Sequence, residues 1–290
     1  MPIVKSPSKL NLFLEVTEKR LDGYHSIDSI FVCINLCDDM EIEWIPDNHI
    51  EVTTDHPLVP DGLSNIIYKA IAAVKDSFAI QSGVRVHVRK KIPVGGGLGG
   101  GSSNAATILK TICERWNIDL NHPELQQIAV RIGADVPFFL NSSGFARCTG
   151  IGEIIEDISL NQRLWFVLVN PQIHIDTGKI YKKIRLTYTG KRPIILYRGI
   201  SHCTVGVIAS GFFNRMEEVV IPMYPVVGDI KNELNAHGCV RSLMSGSGST
   251  VFGLAKDKQS AETIADALRD RYPQWFVTAT HSSDNITIGG

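Results

Sequence analysis

Pro93-Val-Gly-Gly-Gly-Leu-Gly-Gly-Gly-Ser-Ser103 places six glycines in seven positions, Gly95 to Gly97 and Gly99 to Gly101. Without a Cβ, consecutive amides can turn toward one point and a ligand can approach the backbone itself. Upstream, Val84, Val86 and Val88 alternate with Arg85, His87 and Arg89, the period of a strand with one buried face. Downstream, Ala105, Ile108, Leu109, Ile112 and Trp116 recur at helical spacing, and Ser102, Ser103 and Asn104 are placed to cap the start. Strand, glycine loop and helix together make an anion site from N–H groups and a helix dipole, for which a triphosphate is the natural ligand.

Other phosphate loops fit less well. Gly95-x-Gly97-x-x-Gly100 has the spacing of a dinucleotide fingerprint, but that fold needs a second parallel strand ending in an acidic residue, and this chain runs from helix to helix. A Walker loop needs a Gly-Lys-Ser/Thr, and no lysine lies between Lys91 and Lys110. The HRD and DFG segments of protein kinases are absent.

Working outward, Ile3 to Val16, Met40 to Ile45 and Ile50 to Thr53 read as strands, and Leu63, Ile66, Ile67, Ala70, Ile71 and Val74 share one helical face. Leu125, Ile128, Ala129 and Ile132 form the inner face of a helix from about Pro123 that Gly133 is suited to end, which leaves Asp135 at a turn. An apolar strand from Leu164 to Val169 opens a second domain. Its helices lie near Val227 to Leu234 and Ala261 to Leu268, its glycine-broken strand runs from Ser242 to Phe252, and its last strand lies near Trp275 to Thr280. The class is α+β, divided into residues 1–155 and 156–290. The stretch Lys191 to His202 carries no interpretable pattern.

The 290 residues can bury a core, and 44% hydrophobic with 20% charged residues is ordinary for a globular protein. With 29 basic against 30 acidic side chains, the net charge of −1 provides no field for nucleic acid or anionic lipid, so neither is an expected partner. Six cysteines lack CxxC or zinc spacing and read as buried thiols in a reducing compartment. Nine histidines form no HExxH array, so no structural metal is expected. No signal organisation and no apolar run of membrane-spanning length is present, and the expected location is the cytoplasm.

Three ordered segments resemble the galactokinase, homoserine, mevalonate and phosphomevalonate kinase superfamily: Ser6-Pro-Ser-Lys-Leu-Asn-Leu-Phe-Leu14, the glycine segment, and Met244-Ser-Gly-Ser-Gly-Ser-Thr-Val-Phe252. Within it, Lys9-Leu-Asn-Leu-Phe-Leu, Arg20-Leu-Asp-Gly-Tyr-His, Ser102-Ser-Asn-Ala-Ala and Gly133-Ala-Asp-Val-Pro-Phe-Phe look like the 4-diphosphocytidyl-2-C-methyl-D-erythritol kinases of the non-mevalonate isoprenoid pathway. The resemblance implies a two-domain small-molecule kinase with its active site in the interdomain cleft. It also implies ATP and Mg2+ as cofactors, a cytidine-diphosphate-linked methylerythritol as phosphoryl acceptor, and a monomer or weak homodimer.

Carried over residue by residue, Asp135 matches the catalytic aspartate, while on its residues alone it reads first as an N-cap for a turn at Val136-Pro137. Lys9 matches the second catalytic position, and alternation puts it with Asn11 and Phe13 on the face opposite Leu10, Leu12 and Leu14. Pro93, Val94, Gly95, Gly96, Gly97, Leu98, Gly99, Gly100, Gly101, Ser102 and Ser103 would hold the nucleotide. Asn11 suits polyol hydroxyls, while Tyr24 and His25 would grip the cytosine, with Tyr181 as the second aromatic and Thr177 beside it. Spacing around Thr177 and Tyr181 departs from the family, and core packing of Tyr181 is a rival reading. Gly246 and Ser247 would close the site from the second domain, although a bent strand also accounts for the glycines.

Overall fold

A computed structural model describes residues 3–160, 162–187, 189–193, 196 and 203–286. Most of Lys191 to His202 therefore lies outside the described residues. The first sheet is built on a long hairpin of β1 (Ile3–Lys19) and β2 (His25–Ile45). β4 (Gly83–Arg89) pairs antiparallel with β2, and β3 (Ile50–Thr54) lies parallel to β4 at the edge. β5 (Phe145–Gly150) and β6 (Ile154–Asp157) continue from the other part of β2, and the short β8 (Phe213–Asn214) runs parallel to β1. The second sheet, in the order β11-β7-β10-β9, joins β7 (Trp165–Asn170), β9 (Arg241–Met244), β10 (Val251–Ala255) and β11 (Phe276–His281), all antiparallel.

Helices α1 (Ile66–Ser77), α2 (Gly100–Trp116), α3 (Pro123–Ile132) and α4 (Val136–Leu140) cover one face of the first sheet. Val84, Val86 and Val88 from β4 meet Ala70, Ile71 and Val74 from α1 and Ala105, Ile108 and Ile112 from α2, so the two periodicities read from the sequence meet in one core. The second sheet has its own helical cover. α5 (Thr177–Lys183), α6 (Val205–Ser210) and α7 (Glu217–Met223) precede α8 (Pro225–Ala236), while α9 (Lys258–Arg271) precedes β11. Val227, Ile230 and Leu234 of α8 and Ala261, Ile264 and Leu268 of α9 pack against Val167, Val169 and Val251.

A third cluster joins the two halves. Leu10, Leu12, Ile30, Val32 and Ile34 of the hairpin meet Phe166, Leu168, Leu243, Phe252 and Leu254 of the second sheet. Leu98, the one large apolar side chain inside the glycine run, is 1% exposed and belongs to this junction. Burying such a side chain is worth about 1.5–3 kcal/mol, which anchors an otherwise flexible loop at its middle.

Several local expectations change. Leu63 is exposed and sits in a separate 3-10 turn, because Asn65, in extended backbone, accepts a hydrogen bond from Ile67 N and starts α1 after it. Ser102, Ser103 and Asn104 lie within the first turns of α2, while Gly99 occupies the N-cap position at φ +70°. The first half of β2, α4, β5 and β6 have no counterpart in the sequence reading. β2 is long enough to bend across two neighbours, and its run from Ser29 to Ile34 is buried on both faces, which removes the wet and dry alternation that marks a strand in sequence. Of the six cysteines, Cys33, Cys113, Cys148 and Cys239 are buried, Cys37 and Cys203 are half-buried, and all are free thiols.

Candidate active site

The glycine loop hangs between the end of β4 and the start of α2, and three successive carbonyls fix it. Thr250 N donates to Gly96 O at 3.2 Å, Ser245 Oγ to Gly97 O at 2.9 Å and Lys9 N to Leu98 O at 3.0 Å. Lys9 comes from β1, and Ser245 and Thr250 from the turn between β9 and β10, so both stretches dock on the loop. Glycine is required at two positions of the loop. A Cβ on Gly97, at φ +77°, would sit 2.1 Å from Ser245 O, and one on Gly99 would sit 2.9 Å from the Phe139 ring.

Ser103 N makes the first helical bond of α2, to Gly99 O at 2.9 Å. The amides of Gly100, Gly101 and Ser102 therefore precede the internal ladder and carry the positive end of a 17-residue helix. A cavity of about 310 Å³ opens beside the loop, lined by all of residues 93–102 and by Asn65, Ile67, Val88 and Lys90. It offers a phosphate cradle continuous with a half-apolar recess, the shape of a nucleotide rather than of a bare anion.

Lys9 and Asp135 meet at the far side of the loop. Lys9 Nζ lies 3.6 Å from Asp135 Oδ2, donates to Asn11 Oδ1 at 2.7 Å and sits 4.6 Å over the Phe31 ring centre. Asn11 is held in turn, with Nδ2 donating to Ser29 Oγ at 3.0 Å. A register shift between Asn11 and Phe13 marks a bulge in the β1–β2 ladder, the kind of irregularity that re-aims a side chain. Residues 9 to 14 are all buried, so alternation along β1 separates two buried faces rather than a wet face from a dry one.

Asp135 holds the N-cap position of α4 but makes no capping bond through its side chain, which is 29% exposed. The capping role open at the sequence level therefore fails, and the carboxylate faces Lys9. Gly133 ends α3 with extended backbone, and a Cβ there would lie 3.5 Å from Ser102 Oγ, which puts the turn carrying Asp135 beside the first turn of α2.

On the opposite side, His25 and Tyr181 stack with ring centres 5.0 Å apart and planes 23° apart. Burial, and then the charge of Asp135, push the Tyr181 phenol up to about 12, so it is a protonated hydroxyl near the Asp135 carboxylate. Burial, and then Lys19, hold the His25 imidazole below its ordinary 6.5. Tyr24 is 60% exposed at the hairpin tip and apart from this stack. A base needs roughly 7 Å between two flanking rings, two contact distances, so none enters between His25 and Tyr181 as they stand.

Thr177 Oγ1 and Ser247 Oγ lie 2.7 Å apart, joining α5 to the turn after β9. Gly246, at φ +56°, is fixed through its carbonyl by Asn214 Nδ2 at 2.8 Å. Sequence reasoning missed Ser245 and Asn214. Ser245 was visible inside a motif, but nothing local marks Asn214, whose function comes from β8 lying beside β1.

A two-sheet α+β chain that holds a glycine phosphate loop between β1 and the β9–β10 turn is a small-molecule kinase of the GHMP type. The family model for the GHMP kinases N terminal domain matches residues 65–143, and that for the GHMP kinases C terminal matches residues 206–274. A 4-diphosphocytidyl-2-C-methyl-D-erythritol kinase of Geobacter sulfurreducens is 40% identical over 279 residues, 96% of this chain and 98% of its own, and one of Pelobacter propionicus is 40% identical with the same coverage. A crystal structure of 4-(cytidine 5'-diphospho)-2C-methyl-D-erythritol kinase superposes with TM-score 0.79 at 29% identity, over 99% of this chain and 100% of that one. Homoserine kinase from Cytophaga hutchinsonii, at TM-score 0.77 and 16% identity over 99% of this chain and 95% of that one, shares the fold. The chain belongs to the 4-diphosphocytidyl-2-C-methyl-D-erythritol kinase family.

Proposed function

We propose that the chain transfers the γ-phosphoryl group of ATP to the 2-hydroxyl of 4-(cytidine 5'-diphospho)-2-C-methyl-D-erythritol, giving the 2-phosphate and ADP in the non-mevalonate route to isoprenoid precursors. The observation that carries this reading is the Lys9–Asp135 pair, 3.6 Å apart, set between the phosphate loop and the His25–Tyr181 wall. Asp135 takes the proton as the acceptor oxygen bonds to the γ-phosphorus. The bond from that phosphorus to the β–γ bridging oxygen breaks, and ADP leaves. Lys9, fixed by Asn11 and the face of Phe31, holds the hydroxyl in line and stabilises its developing negative charge.

Residues 93–103 hold the nucleotide, the amides of Gly100 to Ser102 taking its phosphates. Asn11 holds the methylerythritol, and Tyr24, His25, Tyr181, Thr177, Gly246 and Ser247 hold the cytidine-diphosphate end. Magnesium takes oxygen donors and keeps several waters, and the Ser102 hydroxyl at the start of α2 is a donor of that kind. When bound with ATP it neutralises phosphate charge. In this reading residues 1–155 form the ATP-binding domain and 156–290 the second domain of a cytoplasmic monomer or weak homodimer. Among the described residues no helix is long and apolar enough to cross a membrane.

A coupled ADP-release assay over a panel of acceptors tests the proposal. Turnover with the cytidine-linked methylerythritol and none with mevalonate or homoserine is expected. The reverse pattern rejects the substrate.

A further inference from the structure

Behind the glycine loop, one carboxylate ties together both of the loop's ends. Asp38 is fully buried in β2, with Oδ1 accepting from Lys91 N at 2.8 Å and Ile92 N at 2.9 Å, the last residues before the loop. Its Oδ2 accepts from Asn104 Nδ2 at 3.0 Å, in the second turn of the helix that follows the loop, and pairs with Lys90 Nζ. Asn104 closes the ring by accepting from Lys90 Nζ at 3.0 Å and donating to Ser6 Oγ at 2.9 Å, and Ser6 Oγ lies 2.8 Å from Ser103 Oγ. Lys90 also lines the nucleotide cavity.

A buried ion pair is a weak source of stability, since desolvation offsets most of its attraction, and apolar replacements of the same volume serve as well. Here its geometry has another consequence. A run of six glycines loses more backbone freedom than any other sequence when it is ordered, and nucleotide binding is weakened by whatever ordering is left until the ligand arrives. Fixing the strand end and the helix start on one carboxylate sets the span the loop must bridge before ATP binds. The carbonyl tethers at Gly96, Gly97 and Leu98 then orient the amides within that span.

We infer that Asp38 is a positioning residue for the nucleotide: it touches no substrate, and through Lys90, Lys91, Ile92 and Asn104 it pre-sets the phosphate loop. The inference rests on the nucleotide reading of the loop, and the two fail separately. Wild-type protein that does not bind ADP rejects that reading, whereas wild-type binding that Asp38 does not influence rejects the inference alone.

The test compares wild type, Asp38→Asn, Asn104→Ala and the swap Asp38→Asn/Asn104→Asp. ADP affinity is measured by titration, KM for ATP and acceptor by steady-state assay, and folding by thermal melts. Asp38→Asn is expected to weaken ADP binding and raise KM for ATP roughly 10- to 100-fold, with acceptor KM within about twofold. Asn104→Ala, which cuts the helix arm together with the bonds of Asn104 to Lys90 and Ser6 but leaves the Asp38 contacts to Lys91 N and Ile92 N, gives a smaller loss of the same kind. The swap returns a carboxylate to the cluster, where Lys90 can pair with it and the amide introduced at position 38 can donate to it, and it restores ADP affinity to within a few-fold. A lowered melting temperature with unchanged KM for ATP, or equal losses in both substrates, overturns the proposal. Should Asp38→Asn fail to fold, Asn104→Ala decides: wild-type ADP affinity in that variant overturns it.

Discussion

The two sides of the active site are built in opposite ways. On the proposed nucleotide side the loop offers backbone N–H groups, and Thr250 N, Lys9 N and the Ser245 hydroxyl hold three of its consecutive carbonyls, with a buried carboxylate behind. On the proposed acceptor side the groups are side chains, and apart from the buried Asn11 they come from exposed or half-buried places: a hairpin tip, a seven-residue helix and the turn after β9, linked by one ring stack and one hydroxyl pair. Phosphate is recognised by charge and by N–H groups that every residue but proline owns, so a fixed backbone suffices. A cytidine and a polyol are told from their analogues by edges and hydroxyls, which only specific side chains can match.

The largest expected effect falls between the two sides. Asp135→Asn should lower kcat by about a thousandfold, within the span usual for a lost general base, while ADP titration gives wild-type affinity. Wild-type turnover in that variant would remove Asp135 from the reaction. Next, Gly97→Ala should weaken ADP binding about 100-fold, since its Cβ meets Ser245 O at 2.1 Å and its φ is +77°. If acceptor KM rises as far as ADP affinity falls, the two sides are one cooperative unit and the division between them breaks down.

Tyr181→Ala should raise acceptor KM about tenfold and leave KM for ATP within about twofold, the scale of one lost aromatic contact. The smallest effect concerns pH. His25 has its imidazole held below 6.5 in the fold, so its neutral form persists as the pH drops to that value, and only at lower pH does it take up a proton. Acceptor KM should thus stay level down to pH 6.5 and shift below it, and the shift should vanish in His25→Gln. A sharp change in KM at higher pH that persists in His25→Gln would assign it to another group.

Legibility followed the same division. The glycine run, the valine strand before it and the apolar helix after it were each contiguous, and their assembly into a cradle needed only local geometry. Helix starts were less legible. Asn65 rather than Leu63 sets α1, and Gly99 rather than Ser102 to Asn104 sets α2, because side-chain caps compete locally and the burial of Ser103 and Asn104 commits them to Ser6 and Asp38. Tyr181 was placed with Tyr24 and His25 only by resemblance, and its stack falls on His25 while Tyr24 faces solvent. Asp38 carried no signal at all, since Asp38-Asp39 after Cys37 reads as an ordinary polar strand end until β4 and α2 close over it.

The sequence by itself determined the class of chemistry, because a strand, a glycine loop and a helix start define an anion site within one short stretch of chain. Tertiary structure alone decided which side chains share that site: the bulge after Asn11, the hairpin that brings His25 back toward Tyr181, and the turn that leaves the Asp135 carboxylate facing Lys9. The reason is physical. Backbone geometry is fixed by neighbours in the chain, whereas the meeting of distant side chains depends on how elements pack and on sheet register, and a shift of one residue would turn Lys9 and Asn11 of β1 to the opposite face.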